Sequence, residues 1–392
     1  VSNKVSAVSI SKPNLQNEGL ASLYDYYKSI FENVPKPFAF VNLDFLENNI
    51  EAVRTRAGNK NIRLASKSIR CLPILRNILN SHSQFQGIMS YSPQEAVFLS
   101  GEGFDNILMG YPVWDESHLR AIAKEIIKGK NIVLMVDSHE HVEKAKAIAR
   151  DLHIDFPLCI DLDMSSDFPG LHFGVWRSGI NNKDKAVNLA KYILDSPSVK
   201  LTGIMGYESQ IAGVGDKLEG QYVKSQLIRF LKRRSIKEIK KRREETVKAL
   251  YDIAGDLELV NAGGTGSLES SIKEAGVTEV TVGSGFYSPT LFDQYADFQH
   301  QPAAAFALEV TRNPKKNIYT CLGGGYVASG ATGKEKLPAT YLPEGLELFP
   351  LEGAGEVQTP ILNKGKQNLQ IGDPVFFRHS KAGELCERFD YL

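Results

Sequence analysis

Cysteine is scarce in this chain and widely scattered. Its 392 residues hold four, Cys71, Cys159, Cys321 and Cys386, and no CxxC pair. That spacing argues against a zinc ribbon or a disulfide framework and points to reduced thiols in a cytoplasmic type of compartment. A charge excess is missing too. Forty-six basic residues balance 46 acidic ones, so no global field draws the chain to nucleic acid or to a membrane surface. No apolar run is long enough to span a bilayer. The first residues show no charged leader followed by an apolar core, so no secretory signal is expected. No internal repeat or low-complexity tract is evident. What remains is an ordinary globular composition, 42% hydrophobic and 23% charged, in a chain long enough for two or three domains.

Residues 1–37 are polar and mixed and read as an N-terminal arm. A short helix is expected over 20–31, ending before Pro35 and Pro37. A strand follows at 38–43, then Asp44 as a helix N-cap and a stripe of Phe45, Leu46, Ile50 and Val53. From residue 62 a rhythm sets in. Strands are expected at 62–66, 87–90, 106–109, 132–136, 158–162, 201–205, 257–260 and 279–282. Helical patterns fill the gaps at 72–80, 93–100, 116–128, 140–152, 183–194, within 217–254, and at 268–274. Eight βα units is the count that closes a parallel (β/α)8 TIM barrel; a doubly wound open sheet is the rival. Beyond about residue 295 the long helices stop. Strands at 303–310, 318–322, 348–351, 356–361 and 375–378, separated by Gly, Pro and Asn turns, predict an all-β domain. The organisation expected is therefore an α/β barrel over 38–297 followed by a C-terminal β domain over 298–392, with the strand at 38–43 available to either.

Barrel chemistry sits at the C-terminal ends of the strands. Here those ends read Lys67, Tyr91, Gly110-Tyr111, Asp137, Asp161-Leu162-Asp163, Gly206-Tyr207-Glu208, Asn261-Ala262-Gly263-Gly264 and Gly283-Ser284-Gly285, mostly polar or glycine. In Arg63-Leu64-Ala65-Ser66-Lys67 an apolar strand delivers one lysine at its end. In a partly desolvated site such an amine attacks a carbonyl to form a Schiff base. In Asn261-Ala262-Gly263-Gly264-Thr265-Gly266-Ser267 a strand gives way to a helix. Glycines let the backbone approach an anion, N–H groups point at it, and Thr265 and Ser267 offer hydroxyls. No Gly-Lys-Ser/Thr closes the loop, so it is not a Walker motif, and its glycine spacing is not the dinucleotide fingerprint. With Gly283-Ser284-Gly285 on the next strand it matches the phosphate cup of a barrel's last two strands. A reactive lysine on the first strand becomes its neighbour when the barrel closes. A small phosphorylated aldehyde suits both, and pyridoxal phosphate has that description. The basic segment 224–248, with Arg233-Arg234 and Lys240-Lys241-Arg242-Arg243, reads as a solvated helix face with opposite-charge neighbours.

On these stretches, together with Arg177-Ser178-Gly179 and Gly206-Tyr207-Glu208-Ser209-Gln210, the chain resembles the fold-type III pyridoxal-phosphate enzymes, the alanine racemase-like barrels. Within them it is most similar to the branch of D-threonine aldolase and D-serine dehydratase. The likeness runs from about Pro37 to the C-terminus. It implies a barrel plus a β domain, usually as a homodimer. Carried over, it implies that Lys67 holds the cofactor, that Gly263, Gly264, Thr265, Gly283 and Ser284 hold its phosphate, and that Arg177 and Tyr207 approach its ring or phosphate. It also implies a divalent metal at His379 beside the substrate. The second ligand in that branch, cysteine or aspartate, stands two residues later, where this chain has Lys381. Either the lysine's charge replaces the metal, or Cys386 or Glu384 completes the site; thiolate suits zinc, carboxylate manganese or magnesium.

The activity implied is that of a lyase on D-β-hydroxy amino acids, with Lys67 and His379 as catalytic residues. Aldol cleavage would give glycine and an aldehyde, dehydration a keto acid and ammonia. An amino-acid racemase with Tyr326 as second acid–base, a non-catalytic pyridoxal-phosphate carrier, and a sugar-phosphate enzyme using Lys67 without cofactor are the alternatives. No nucleic acid or membrane partner is expected.

Overall fold

The computed structural model describes residues 15–331 and 333–392. They divide into two compact units. One comprises Glu47–Phe286 and Phe292–His300; the other comprises the described residues through Leu46, Tyr287–Leu291 and Gln301–Leu392.

Strands are numbered in chain order. β1 (Phe38–Val41) belongs to the unit that also holds Gln301–Leu392. In the other unit, β2 (Asn61–Ala65), β3 (Phe85–Ser90), β4 (Ile107–Pro112), β5 (Ile132–Val136) and β6 (Phe156–Asp161) are parallel neighbours. A two-stranded hairpin, β7 (Ser166–Phe168) and β8 (Leu171–Phe173), follows β6. β9 (Val199–Gly206), β10 (Leu259–Ala262) and β11 (Glu279–Val282) complete the set. The barrel closes in the order β10-β11-β2-β3-β4-β5-β6-β9, so the open-sheet alternative falls.

The strands read as continuous apolar runs because both their faces are covered. All five residues of β5 are buried, the pattern of a parallel sheet wrapped by helices. Leu108, Val133, Met135, Cys159, Met205 and Leu259 cluster within, with Met89 against them. Gly203 lets β9 and β10 approach: a Cβ there would lie 2.1 Å from the Leu259 carbonyl oxygen. One charge pair is buried in the strands. Arg63 donates to both carboxylate oxygens of Glu279 (2.7 and 3.0 Å) and to the Asn106 carbonyl (2.7 Å). Such a forked pair is tolerable in a dry interior because its hydrogen bonds are satisfied.

The helices begin where the sequence supplies caps. Ser92, Asp115, Ser138 and Asn182 each accept a first-turn backbone N–H, satisfying donors that have no partner inside the helix. At the helix Leu43–Ala57 the cap is Asn42, whose side-chain oxygen accepts the Phe45 N–H at 3.0 Å; Asp44 lies inside the first turn.

The second unit is an antiparallel sheet. β12 (Ala304–Lys315), β13 (Ile318–Leu322), β14 (Ala339–Leu342), β15 (Leu346–Leu348), β16 (Gln358–Asn363) and β17 (Pro374–Arg378) pair in the order β14-β17-β12-β13-β16-β15. β1 joins it, with Phe38 opposite Ala307. A helix over Leu15–Ile30 carries Gly19 at φ 73, and its Tyr27 ring lies 5.5 Å from Phe376. The strand expected at 348–351 forms instead as β15, ending at Leu348. Pro350 has no N–H for a ladder, and Leu351 is fully exposed. Among the described residues no helix is long and apolar enough to cross a membrane.

Candidate active site

One cavity opens at the C-terminal ends of the barrel strands. It is lined by Lys67, Tyr111, Arg177 and Tyr207, and by Gly263, Gly264, Thr265, Gly283 and Ser284. The structure thus brings together every residue expected to hold a cofactor. Met89, Ala212, Asn261, Thr281 and Phe292 line it as well.

Lys67 sits in a single 3-10 turn, Ser66–Ser68, directly after β2. The turn is fastened from behind by Glu95, whose Oε2 accepts the hydroxyls of Ser66 (2.8 Å) and Ser90 (2.7 Å) and the N–H of Tyr91 (3.0 Å). The Lys67 side chain is exposed. The desolvation expected from the sequence is absent, and its neighbour is a phenol: Lys67 Nζ donates to Tyr111 Oη at 2.9 Å. Burial pushes the Tyr111 hydroxyl up, but the Lys67 ammonium, its hydrogen bond and Arg177 outweigh it and hold the phenol below its usual value. Lys67 and Tyr111 therefore form a hydrogen-bonded pair in which the phenol's hold on its proton is weakened.

Arg177 lies between two rings. Its guanidinium carbon is 5.6 Å from the ring centroids of both Tyr111 and Tyr207, a cation–π arrangement that fixes a long side chain. Burial pushes the Tyr207 hydroxyl up to about 12, although Arg177 pulls it down, so this phenol keeps its proton. The β7–β8 hairpin lies between β6 and Arg177 in the chain.

The two glycine-rich ends are tied to each other. Gly285 N–H donates to Thr265 Oγ1 at 3.0 Å, and the Ser68 and Ser284 hydroxyls lie 3.2 Å apart. Arg56 clamps the same region: it grips both Glu269 oxygens (2.6 and 3.0 Å), donates to the Thr265 carbonyl (2.6 Å), and meets His300 Nε2 at 3.1 Å. His300 is held well below its usual value, at about 4, by burial and by the Arg56 charge. It is neutral, with Nδ1 donating to the Gly285 carbonyl at 2.8 Å and Nε2 accepting from Arg56. Gly283 is required where it stands, since a Cβ would fall 2.7 Å from Ser68 Cβ and 2.9 Å from the Ala65 carbonyl oxygen.

Behind the loop lies Glu208. It is fully buried and accepts the Gly263 N–H (3.3 Å), the hydroxyls of Ser267 (3.1 Å) and Ser271, and Arg243 (2.8 Å). Arg243 also grips Glu274 at 2.5 Å. Ser267 is consequently not the anion donor expected from the sequence: its hydroxyl turns to Glu208 and accepts the Gly264 N–H. The backbone N–H groups of Thr265 and Ser284 take no hydrogen bond among the described residues, which leaves them for an anion in the cavity. An amine and N–H donors around one cavity fit a phosphorylated aldehyde.

Asp161 ends β6 beside this site and is 8% exposed. Burial raises its carboxyl to about 7, Asp137 adds to the rise, and Arg177 opposes it. An exposed aspartate titrates near ~3.9. Between these values the folded chain holds a proton that the unfolded chain has lost, so this group's contribution to stability falls as pH rises from about 4 to 7. We expect Asp161→Asn to flatten the urea-measured stability curve over that window. An unchanged slope would mean the carboxyl is not its source.

His379 and Cys386 belong to the sheet unit, near Lys381 and Glu384. His379 is buried. Lys381 Nζ donates to Ser329 Oγ at 3.0 Å, and Glu384 Oε2 accepts the Ser329 N–H at 3.0 Å. Among the described residues no three His, Cys, Asp or Glu side chains gather into a metal-binding group. The metal expected at His379 and Cys386 thus rests on the resemblance: Lys381, whose ammonium cannot ligate, follows His379 by two residues, and Glu384 accepts a backbone N–H.

The sequence over residues 41–288 matches the family described as alanine racemase, N-terminal domain. No curated protein matches the chain. Among solved structures it is similar to D-threonine aldolase from Filomicrobium marinum, at 16% identity over 91% of this chain and 90% of that one, with a TM-score of 0.76. It is similar to D-threo-3-hydroxyaspartate dehydratase from Delftia sp. HT23 (17%, 90% and 92%, 0.70) and to alanine racemase from Clostridium difficile 630 (15%, 91% and 89%, 0.62). At such identities these likenesses show the fold. Pyridoxal phosphate is the cofactor typical of the matched family, and the match covers well over half of the chain. The chain therefore belongs to the fold-type III pyridoxal-phosphate enzymes, in the family of the alanine racemase N-terminal domain.

Proposed function

We propose that this chain is a pyridoxal-phosphate lyase acting on D-β-hydroxy amino acids. The observation that carries the cofactor site is one cavity lined both by Lys67 and by the Gly263–Thr265 and Gly283–Ser284 stretches. The lyase reading is supported by the similarity to the aldolase and the dehydratase, whose TM-scores exceed that of the racemase.

The bound cofactor would supply an electron sink for charge released beside the substrate amine. The chain's residues do the rest. Lys67 would hold the cofactor through Nζ and, when free of it, would serve as a base there. Tyr111 Oη, at 2.9 Å, would take or return a proton at Nζ, its lowered affinity bringing it closer to the working range. Arg177, beside two phenols, would supply positive charge near the cofactor. Tyr207 would donate a hydrogen bond, and the Thr265 and Ser284 N–H groups would hold the phosphate. No step is routed through a metal; the Lys381 ammonium, two residues after His379, cannot ligate one.

Substrate profiling of the purified, pyridoxal-phosphate-loaded protein tests this. D-Threonine and D-serine are offered with and without a chelator, and glycine and ammonia are assayed. Release of either from a D-β-hydroxy amino acid, unaffected by the chelator, is expected. Interconversion of amino-acid enantiomers alone would make the protein a racemase, and binding without turnover a carrier.

A further inference from the structure

The long basic helix, Tyr222–Ala254, contributes no lining residue to the Lys67 cavity. It forms one wall of another. A cavity of about 410 Å³ lies between this helix and the outer side of the glycine-rich loop, within the ~300–1,000 Å³ typical of small-ligand sites. Arg229, Lys232, Arg233 and Lys240 face it from the helix; Gly266, Ser267 and Lys273 face it from the loop side.

Its charges do not cancel. Of the three carboxylates lining it, Asp216 is taken by buried Lys232 at 2.9 Å, and Glu269 by Arg56 at 2.6 Å. That leaves Arg229, Arg233, Lys240 and Lys273 against Asp297. Arg229 is anchored through Nε on the Asp216 carbonyl at 2.9 Å. Lys240 has only the exposed Glu244 at 3.6 Å, a contact of little energy. A concave wall whose lining carries two excess positive charges focuses potential on its interior. Gly266 and Ser267 continue the loop whose Gly263, Gly264 and Thr265 line the Lys67 cavity.

We propose that this cavity binds a small polyanion bearing two or more phosphate groups, such as free pyrophosphate or the diphosphate of a nucleotide. The site stands on its own geometry and does not depend on the proposed reaction.

Calorimetric titration of the pyridoxal-phosphate-loaded chain with pyrophosphate and with ADP tests it, at low and high KCl. Loading keeps the Lys67 cavity from competing for the probes. One saturable site per chain is expected, weakened by KCl. Arg233→Gln with Lys240→Gln, and separately Lys273→Gln, should each weaken binding by about tenfold or more. Equal affinity for the two probes assigns recognition to phosphate alone; tighter ADP adds a nucleoside contact. Absence of saturable binding, binding indifferent to both sets of variants, or binding of single-stranded RNA with neither small probe would overturn the proposal. If the chain takes up no pyridoxal phosphate, the same variants on the unloaded protein decide the matter. Lys273→Gln keeps the test valid should the helix variant fail to fold.

Discussion

Lys67→Ala should abolish the visible absorbance of the cofactor-loaded protein and lower turnover by about a thousandfold or more, the scale of losing both a covalent tether and a positioned base. Stability should change by less than about 0.5 kcal/mol, because the side chain is exposed and surface substitutions cost little. The variant also reports on Tyr111. Without the ammonium at 2.9 Å, burial of the phenol is opposed only by Arg177, and its titration, followed by ultraviolet absorbance, should move to higher pH. Retained activity would remove Lys67 from the chemistry. Lost activity with a collapsed fold would contradict the view that the residue is peripheral to packing.

Arg243→Met should be the most destabilising single change in the barrel unit. Arg243 is held between Glu208 at 2.8 Å and Glu274 at 2.5 Å, all three nearly fully buried. Removing it strands two carboxylates in a dry interior, a loss of about 3–5 kcal/mol. Burial already raises the Glu274 carboxyl despite the Arg243 charge. Without the guanidinium both acids would take up protons, so the variant's deficit, measured by urea unfolding, should shrink at low pH. Adding Glu208→Gln and Glu274→Gln should recover part of it. Because Glu208 also accepts the Gly263 N–H and the hydroxyls of Ser267 and Ser271, the single variant should bind cofactor more weakly through a loosened loop. A cost below about 1 kcal/mol would show that the network is not what holds this region.

The barrel was legible because its strands are short apolar runs regularly interleaved with helical stripes, and periodicity is a local signal. Lys67 and the glycine-rich ends were legible because their chemistry lies within a few consecutive residues. What escaped was carried by distance along the chain. Arg56 meets Glu269 213 residues away and Arg243 meets Glu208 35 residues away; nothing near any of them in sequence marks a partner. Tyr111 was visible as a strand end but not as the partner of Lys67, for the same reason. The β7–β8 hairpin is built from three-residue strands, too short for alternation to register. Ser267 was misjudged as an anion donor because a hydroxyl in a glycine-rich loop has two sides to face, and buried Glu208 decides which. The metal expected at His379 and Cys386 came from a resemblance rather than from a donor set, and Lys381 is the position where the sequence departs from that resemblance.

The account turns on which amine meets the cofactor. Borohydride reduction of the loaded protein, followed by proteolysis and mass mapping, reads that directly. The result predicted is the reduced pyridoxal-phosphate mass on the peptide containing Lys67 and on no other. The same mass on a different lysine, or on none, would contradict it.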